Sequence, residues 1–428
     1  MSTAEANSSI DTSSPSVSSF SQQPSLAQRR ADHYQQQHMQ NENSDVSSNE
    51  HPPPFSDSGS MPPLKDPKIS LPESNSKSES IDSPPARPSA KPRSKITSEY
   101  DPFSGLSFKV GVAENKNSTY RSKMEDVHTY IANFAERVDW GYFAIFDGHA
   151  GKESARWCGN NLHSLLEQEI DLELQEQNKT LQTNQEGANS SQQNDSIATT
   201  AIPLKGRVDM KDHLHKAFVK ADDIIEKNGQ GASGCTAAVA VLRWESETED
   251  DCMVSTHNSE KQSGKKFDFL PTKNHKRMLY TSNVGDSRIV LSRKGKAYRL
   301  SYDHKASDKN EIDRVENSGG LILKNRVNGV LAVTRSLGDS YMKDLVLGKP
   351  FTTSTQIIKD DEFMIIACDG VWDVISDTKA CRIVADCFER GYDAQEASKK
   401  LCQLAIEAST TDNVTVMVVQ FDQAVFDR

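Results

Sequence analysis

The chain has 428 residues, of which 35% are hydrophobic, and a formal net charge of -11. A surplus of acid speaks against nonspecific binding to nucleic acid or to anionic membranes. No stretch reaches the roughly 18 consecutive apolar residues of a membrane span.

Residues 1–100 are dominated by Ser, Pro, Gln, Asn and Asp, have almost no apolar periodicity, and read as a disordered tail. Pro52-Pro53-Pro54 and Ser83-Pro84-Pro85 favour extended polyproline-type backbone. Ser14-Pro15 and Ser83-Pro84 are candidates for phosphorylation, but a solvated tail is the simpler reading. Met1-Ser2-Thr3-Ala4-Glu5 has neither the basic nor the apolar region of a secretory signal. Ser2 excludes myristoylation, and Val425-Phe426-Asp427-Arg428 carries no prenylation box. The seven cysteines form no close Cys-x-x-Cys pair, and Cys368 and Cys402 lie in apolar runs. A reducing compartment, cytoplasm or nucleus, is the expectation.

From about residue 106 to 422 the chain reads as globular. Stretches 141–146, 236–242, 278–283, 288–292, 363–368 and 414–421 predict strands, apolar nearly throughout and so covered on both faces. Three stretches repeat apolar residues at helical spacing. They are Ala155, Cys158, Leu162, Leu165 and Leu166; Met210, Leu214, Ala217, Phe218, Ala221, Ile224 and Ile225; and Ala394, Ala397, Leu401, Leu404, Ala405 and Ala408. Asp393 and Glu396 are placed as a capping box for the last. The Gln/Asn/Ser-rich stretch 172–203 and the mixed-charge stretch 245–277 predict surface loop insertions. Asn328-Gly329 predicts a hairpin turn between strands 323–327 and 330–334. The packing that satisfies these elements is α+β: two antiparallel sheets face to face with helices outside, a four-layer α-β-β-α sandwich.

Three carboxylates stand at strand ends. Asp147 and Asp369 follow apolar runs, and Asp412 precedes one. If the strand after Asp412 runs antiparallel to the other two, all three meet at one edge of the sheets. A lone buried charge is expensive, so a shared cation is the natural partner. Upstream, Arg121-Ser-Lys-Met-Glu125-Asp126 precedes a strand-like run at 127–131. Glu125 and Asp126 point to opposite faces, so one would reach a metal directly and the other through water. Arg121 supplies a fork for phosphate oxygens. An all-oxygen set selects Mg2+ or Mn2+ over Zn2+. Two such ions bridged by one carboxylate suit phosphate-ester hydrolysis. Each motif alone has a bland reading as a turn or a solvated pair; their joint order and strand context carries the functional one.

These residues recur in a recognisable series. The motifs Phe146-Asp147-Gly148-His149-Ala-Gly151, Gly234-Cys-Thr-Ala237, Asn283-Val-Gly-Asp286-Ser-Arg288, Asp303-His304-Lys305, Leu331 to Asp339, Cys368-Asp369-Gly370-Val-Trp-Asp373 and Asp412-Asn413-Val-Thr415 follow the Arg121–Asp126 stretch. In that order the chain resembles the type 2C metal-dependent Ser/Thr protein phosphatases over 106–422. Val110-Gly-Val-Ala-Glu-Asn-Lys-Asn117 and Asp139-Trp-Gly-Tyr-Phe143 resemble fungal members that restrain stress-activated MAP kinase pathways. The resemblance implies a helix-flanked β-sandwich, the helices antiparallel, and gives each residue a role. Asp147 would bridge two metals. Asp369 and Asp412 would ligate one, and Glu125 and the Gly148 carbonyl the other. Asp126 would hold water at the metals, Arg121 would grip phosphate, and His149 would protonate the leaving alkoxide. A weaker third metal maps to Asp303 with Asp369. Asp286 and Asp339 are expected only to support turns and strand edges. Cys235 stands where Ser is commoner, and Ala306 where a Pro often follows Asp-His-Lys; neither removes a ligand.

The implied partners are phosphoproteins, MAP kinase pathway kinases among them, with the tail or the inserts as an adaptor surface. The implied catalytic domain is a monomer of cytoplasm and nucleus. A noncatalytic phosphoprotein-binding pseudophosphatase is the competing reading; lost metal carboxylates would mark it, and none is lost. A cysteine-dependent phosphatase would need His-Cys-x5-Arg, and a nucleotide loop at 229–234 would need a following Lys-Ser/Thr; both are absent.

Overall fold

Apolar alternation decides the layers. In β3 (Gly141–Phe146), Phe143 and Ile145 face one cluster of buried side chains while Tyr142, Ala144 and Phe146 face another. β14 (Asp361–Ala367) splits the same way: Met364 and Ile366 lie on one side, and Phe363, Ile365 and Ala367 on the other. Strands with two buried faces need cover on both. The computed structural model, which describes residues 101–188, 208–228, 232–246 and 266–427, supplies it. The tail at 1–100 lies outside the described residues.

One antiparallel sheet comprises β1 (Phe108–Asn115), β15 (Val414–Phe421), β14, β8 (Arg288–Arg293) and β9 (Lys296–Arg299), in that order. The second comprises β13 (Phe351–Ile357), β7 (His275–Val284), β6 (Ala237–Ser246), β3 and β2 (Val127–Ala132). Their facing sides close on Phe108, Phe143, Leu279, Ile289, Met364 and Met417. The outer side of the second sheet packs on α1 (Glu153–Ala188) and α2 (Met210–Lys227) through Leu162, Leu166, Leu214 and Phe218. The outer side of the first packs on α5 (Asp377–Glu389) and α6 (Ala394–Glu407) through Val384, Ala397 and Leu401. The fold is therefore the expected α-β-β-α sandwich. Each fully buried Leu, Ile or Phe contributes about 1.5–3 kcal/mol, against about 1 kcal/mol for a helix cap. Core alternation therefore fixes the architecture, and caps such as the Asp393–Glu396 capping box trim its ends.

Smaller elements serve the site. β4 (Gly148–His149), β5 (Gly234–Cys235) and β12 (Leu337–Gly338) form a three-stranded sheet in the order β12-β5-β4. α4 (Asp369–Trp372) is a single helical turn after β14, and α3 (Lys309–Asn317) precedes a hairpin of β10 (Ile322–Leu323) and β11 (Arg326–Val327). At the other end of the sandwich, buried Asp139 accepts hydrogen bonds from Ser107 and from Trp244 Nε1 at 2.8 Å, and pairs with Arg277 at 3.1 Å. Among the described residues no helix is long and apolar enough to cross a membrane.

Three sequence expectations need correction. The hairpin turn is Lys324-Asn325, both left-handed with φ of 51° and 56°, which joins β10 to β11. Asn328-Gly329 forms a second turn closed by a single bridge between Val327 and Leu331, not by two strands. The stretch 172–203 is not a loop at its start, because α1 continues through Ala188; 189–203 lies outside the described residues. The stretch 245–277 is likewise ordered at both ends. It finishes β6 and begins β7, and Phe267 packs with Trp244 and Val425. Residues 247–265 lie outside the described ones.

Candidate metal centre

Strand register gathers the acidic residues. Val127 of β2 pairs with Phe146 of β3, so Glu125 and Asp126 arrive beside Asp147. In the other sheet Ala367 of β14 pairs antiparallel with Val416 of β15, so Asp369 and Asp412 leave neighbouring strands at one edge. Asp126 crosses between the sheets: its Oδ2 accepts from Thr415 Oγ1 at 2.7 Å. Gly148 permits the approach, since a Cβ there would lie 2.5 Å from the Glu125 carbonyl oxygen.

The carboxylates repel one another. Burial, followed by the charges of Asp126, Asp369, Asp286 and Asp412, pushes Asp147 well above the usual carboxylate range. Burial, then Asp286, Asp412 and Asp373, does the same to Asp369. Burial raises Asp126 from 3.8 to about 6, against the hydrogen bond from Thr415 that pulls it down. Oδ1 of Asp126 and Oδ1 of Asp369 are buried without a hydrogen-bond partner. An orphaned buried oxygen costs about 1–3 kcal/mol, and more when charged. Converging anions and orphaned oxygens fit a divalent cation. Ligand atoms of Asp126, Asp147 and Cys368 lie within 4.8 Å of one another. Burial pushes the Cys368 thiol far up, so it stays protonated and donates to the Asn413 carbonyl rather than ligating.

Protonation and cation binding oppose each other here. A carboxylate raised in the folded state holds a proton that the unfolded chain has released. Its contribution to cation-free stability is therefore full below about pH 4 and is lost as pH rises through about 6. A cation must displace that proton. The thermal stabilisation given by a fixed, subsaturating Mg2+ or Mn2+ concentration should thus shrink from pH 7 to pH 5. Scanning calorimetry checks it; a pH-independent shift would contradict it.

Arg121 stands at the rim, its side chain 44% exposed, with Nη2 2.5 Å from Asp412 Oδ2 and Nε donating to the Thr411 carbonyl at 3.1 Å. Its Nη1 has no partner among the described residues. His149 is partly buried, with Nε2 2.8 Å from Asp339 Oδ2. Asp303 is held by arginines: Arg288 takes both its oxygens, at 3.1 and 2.5 Å, and Arg299 approaches at 3.5 Å. The carboxylates crowding Asp369 are instead Asp286 and Asp373, bridged by the Lys305 ammonium at 3.2 and 2.9 Å.

Sequence reasoning missed this Lys305 bridge. Its signal was present, since Asp373 follows Asp369 by one helical turn. It also missed the Asn413 side chain. That amide donates to the carbonyls of Lys116 and Lys123 at 2.8 and 3.0 Å and accepts from the Glu125 amide at 2.9 Å. It ties the Arg121–Asp126 loop to the start of β15. Asn413→Ala should weaken cation affinity by about 10- to 100-fold, as removal of a ligand's support typically does, with about 2 kcal/mol lost in stability. Calorimetric titration and denaturant melts check both.

A family model described as "Protein phosphatase 2C" matches residues 110–414. The chain is 48% identical over 316 residues to "Protein phosphatase 2C homolog 1" of Saccharomyces cerevisiae, covering 73% of this chain and 94% of that protein. It is 38% identical over 320 residues to the Schizosaccharomyces pombe protein of the same name, covering 74% of each. Among solved structures, a C. elegans sex-determining protein aligns with a TM-score of 0.53 at 24% identity, over 75% of this chain and 67% of that one. A phosphatase from a pathogenic strain of Toxoplasma gondii aligns with a TM-score of 0.51 at 19% identity, over 75% and 94%. These two structures share the fold.

Proposed function

The chain belongs to the protein phosphatase 2C family and is a metal-dependent protein serine/threonine phosphatase; from that premise we propose that its carboxylate cluster holds two Mg2+ or Mn2+ ions bridged by Asp147, and that it restrains stress-activated MAP kinase signalling. The observation that carries the site reading is the meeting of Asp126, Asp147 and Asp369, each pushed up by burial, with orphaned oxygens on two of them. When bound, such ions activate water as a nucleophile and neutralise phosphate charge.

The protein's own groups do the rest. Glu125 and the Gly148 carbonyl would hold one ion, and Asp369 and Asp412 the other. Asp126, anchored on Thr415 through Oδ2, has Oδ1 left to orient water. Arg121 presents its unbonded Nη1 to a phosphate oxygen while its other nitrogens stay fixed. His149 gives a proton to the departing seryl or threonyl oxygen. For a weaker third ion, Asp286 and Asp373 beside Asp369 are better placed than Asp303, whose oxygens Arg288 occupies.

The signalling role rests on likeness to fungal relatives at 48% and 38% identity. The stretches that carry it are structural here: 110–117 is mostly β1, and Asp139 closes a buried ion pair. A monomeric enzyme of cytoplasm and nucleus, with the tail or inserts as adaptor surface, completes the proposal. The test compares phosphoproteomes of cells carrying the wild-type or the Asp147→Asn protein under osmotic and cell-wall stress. Increased phosphorylation of MAP kinase pathway kinases is expected; an unchanged pathway would refute the role.

A further inference from the structure

The imidazole of His149 is gripped from behind. Asp339, whose Oδ2 lies 2.8 Å from His149 Nε2, has no solvent exposure. Ser336 Oγ donates to the same Oδ2 at 2.5 Å, and the Asp339 amide donates to the Ser233 carbonyl at 3.2 Å. Asp339 adopts φ of 50°, a left-handed conformation uncommon outside glycine. The three-stranded sheet makes the meeting possible: Gly234 of β5 pairs with His149 of β4 on one side and with Gly338 of β12 on the other. A Cβ on Gly234 would lie 2.2 Å from Asp339 Oδ2 and 2.5 Å from His149 Nε2. Glycine at this position lets the two side chains touch.

The geometry points to Asp339 as a positioning residue that fixes which ring nitrogen of His149 meets the substrate. This rests on the reading of His149 as the proton donor. Asp339 Oδ2 acts as an acceptor here, receiving Ser336 Oγ at 2.5 Å, and it lies 2.8 Å from Nε2, so Nε2 carries its hydrogen toward Asp339. Nδ1, without a protein partner among the described residues, is the nitrogen left for the leaving oxygen. As water attacks phosphorus, the bond from phosphorus to the seryl or threonyl oxygen breaks and its electron pair stays on that oxygen. The oxygen takes the Nδ1 proton and leaves as the alcohol. Nε2 keeps its hydrogen on Asp339 throughout, and the proton shed by the attacking water returns to Nδ1.

A leaving group that departs without a proton should not need Asp339. The full chain is assayed at saturating Mn2+ on a phosphothreonine peptide and on p-nitrophenyl phosphate, as wild type, Asp339→Asn, Ser336→Ala and His149→Ala. Asp339→Asn should lower kcat on the peptide about 10- to 100-fold, within the range general acid catalysis supplies, and on the aryl phosphate less than about threefold. Ser336→Ala should give a smaller split in the same direction, and it decides the matter where Asp339→Asn does not fold. Equal losses on both substrates, or none, in the deciding variant would overturn the assignment and leave a structural role. A split in His149→Ala without one in Asp339→Asn overturns Asp339 alone. No split in His149→Ala overturns the proton-donor reading and Asp339's role with it.

Discussion

Asp147→Asn is expected to lower kcat/KM on a phosphothreonine peptide about 10^3-fold or more, while leaving the cation-free protein at least as stable as wild type. The two effects have one cause. Asp147 is raised by burial and by four neighbouring acids, so without a cation its charge is a cost to the fold. Asparagine keeps the shape and removes the charge. With Mg2+ or Mn2+ the balance inverts. Metal ions supply several kcal/mol of transition-state stabilisation, and about 4 kcal/mol is about 10^3 in rate. If Asp147 serves both ions as proposed, its loss would disturb both positions, whereas Glu125→Gln or Asp412→Asn would disturb one, so Asp147→Asn should be the most damaging single change among the proposed ligands. Melting curves in chelator and in Mg2+ should cross: the variant at or above wild type without cation, wild type above the variant with it. A variant that melts lower in both would contradict the electrostatic argument.

Gly370→Ala is expected to cost roughly 3 kcal/mol of stability, at the upper end of what overpacking does. Activity should fall about 100-fold, as a 1 Å misplacement can produce. Gly370 has no left-handed backbone; its requirement is space, since an added Cβ would lie 2.0 Å from the Asn413 carbonyl oxygen. Neither side yields cheaply. Asn413 is clamped to Lys116, Lys123 and Glu125, and Gly370 belongs to the helical turn that begins at Asp369. Making room therefore separates Asp369 from Asp412. Thermal melts and assays at saturating cation check the two parts; a variant with unchanged melting and turnover would refute the argument.

What was legible in sequence depended on how locally each feature is determined. β3, β14 and β15 are apolar on both faces, so their runs stood out, and the acids at their ends followed. β13 did not stand out. It reads Phe-Thr-Thr-Ser-Thr-Gln-Ile, lies at a sheet edge and buries little. α3 was equally obscure, with only Glu311 and Val315 buried. Paired charges stabilise it: burial raises Glu311, but Arg335, Arg314 and Thr334 outweigh that and bring it down to about 2. The Asp339 contact with His149 joins residues 190 positions apart through strands of two residues, too short to leave a pattern. The Arg288 clamp on Asp303 also required the fold.

The decisive measurement is hydrolysis of a phosphothreonine peptide by the full chain in excess EDTA, then after restoring Mg2+ or Mn2+, for wild type and Asp147→Asn side by side. Wild-type turnover should vanish in chelator and return with either cation, while the variant stays silent throughout. Robust turnover in excess EDTA, or full cation-restored activity in Asp147→Asn, would contradict a metal-dependent phosphatase centred on Asp147.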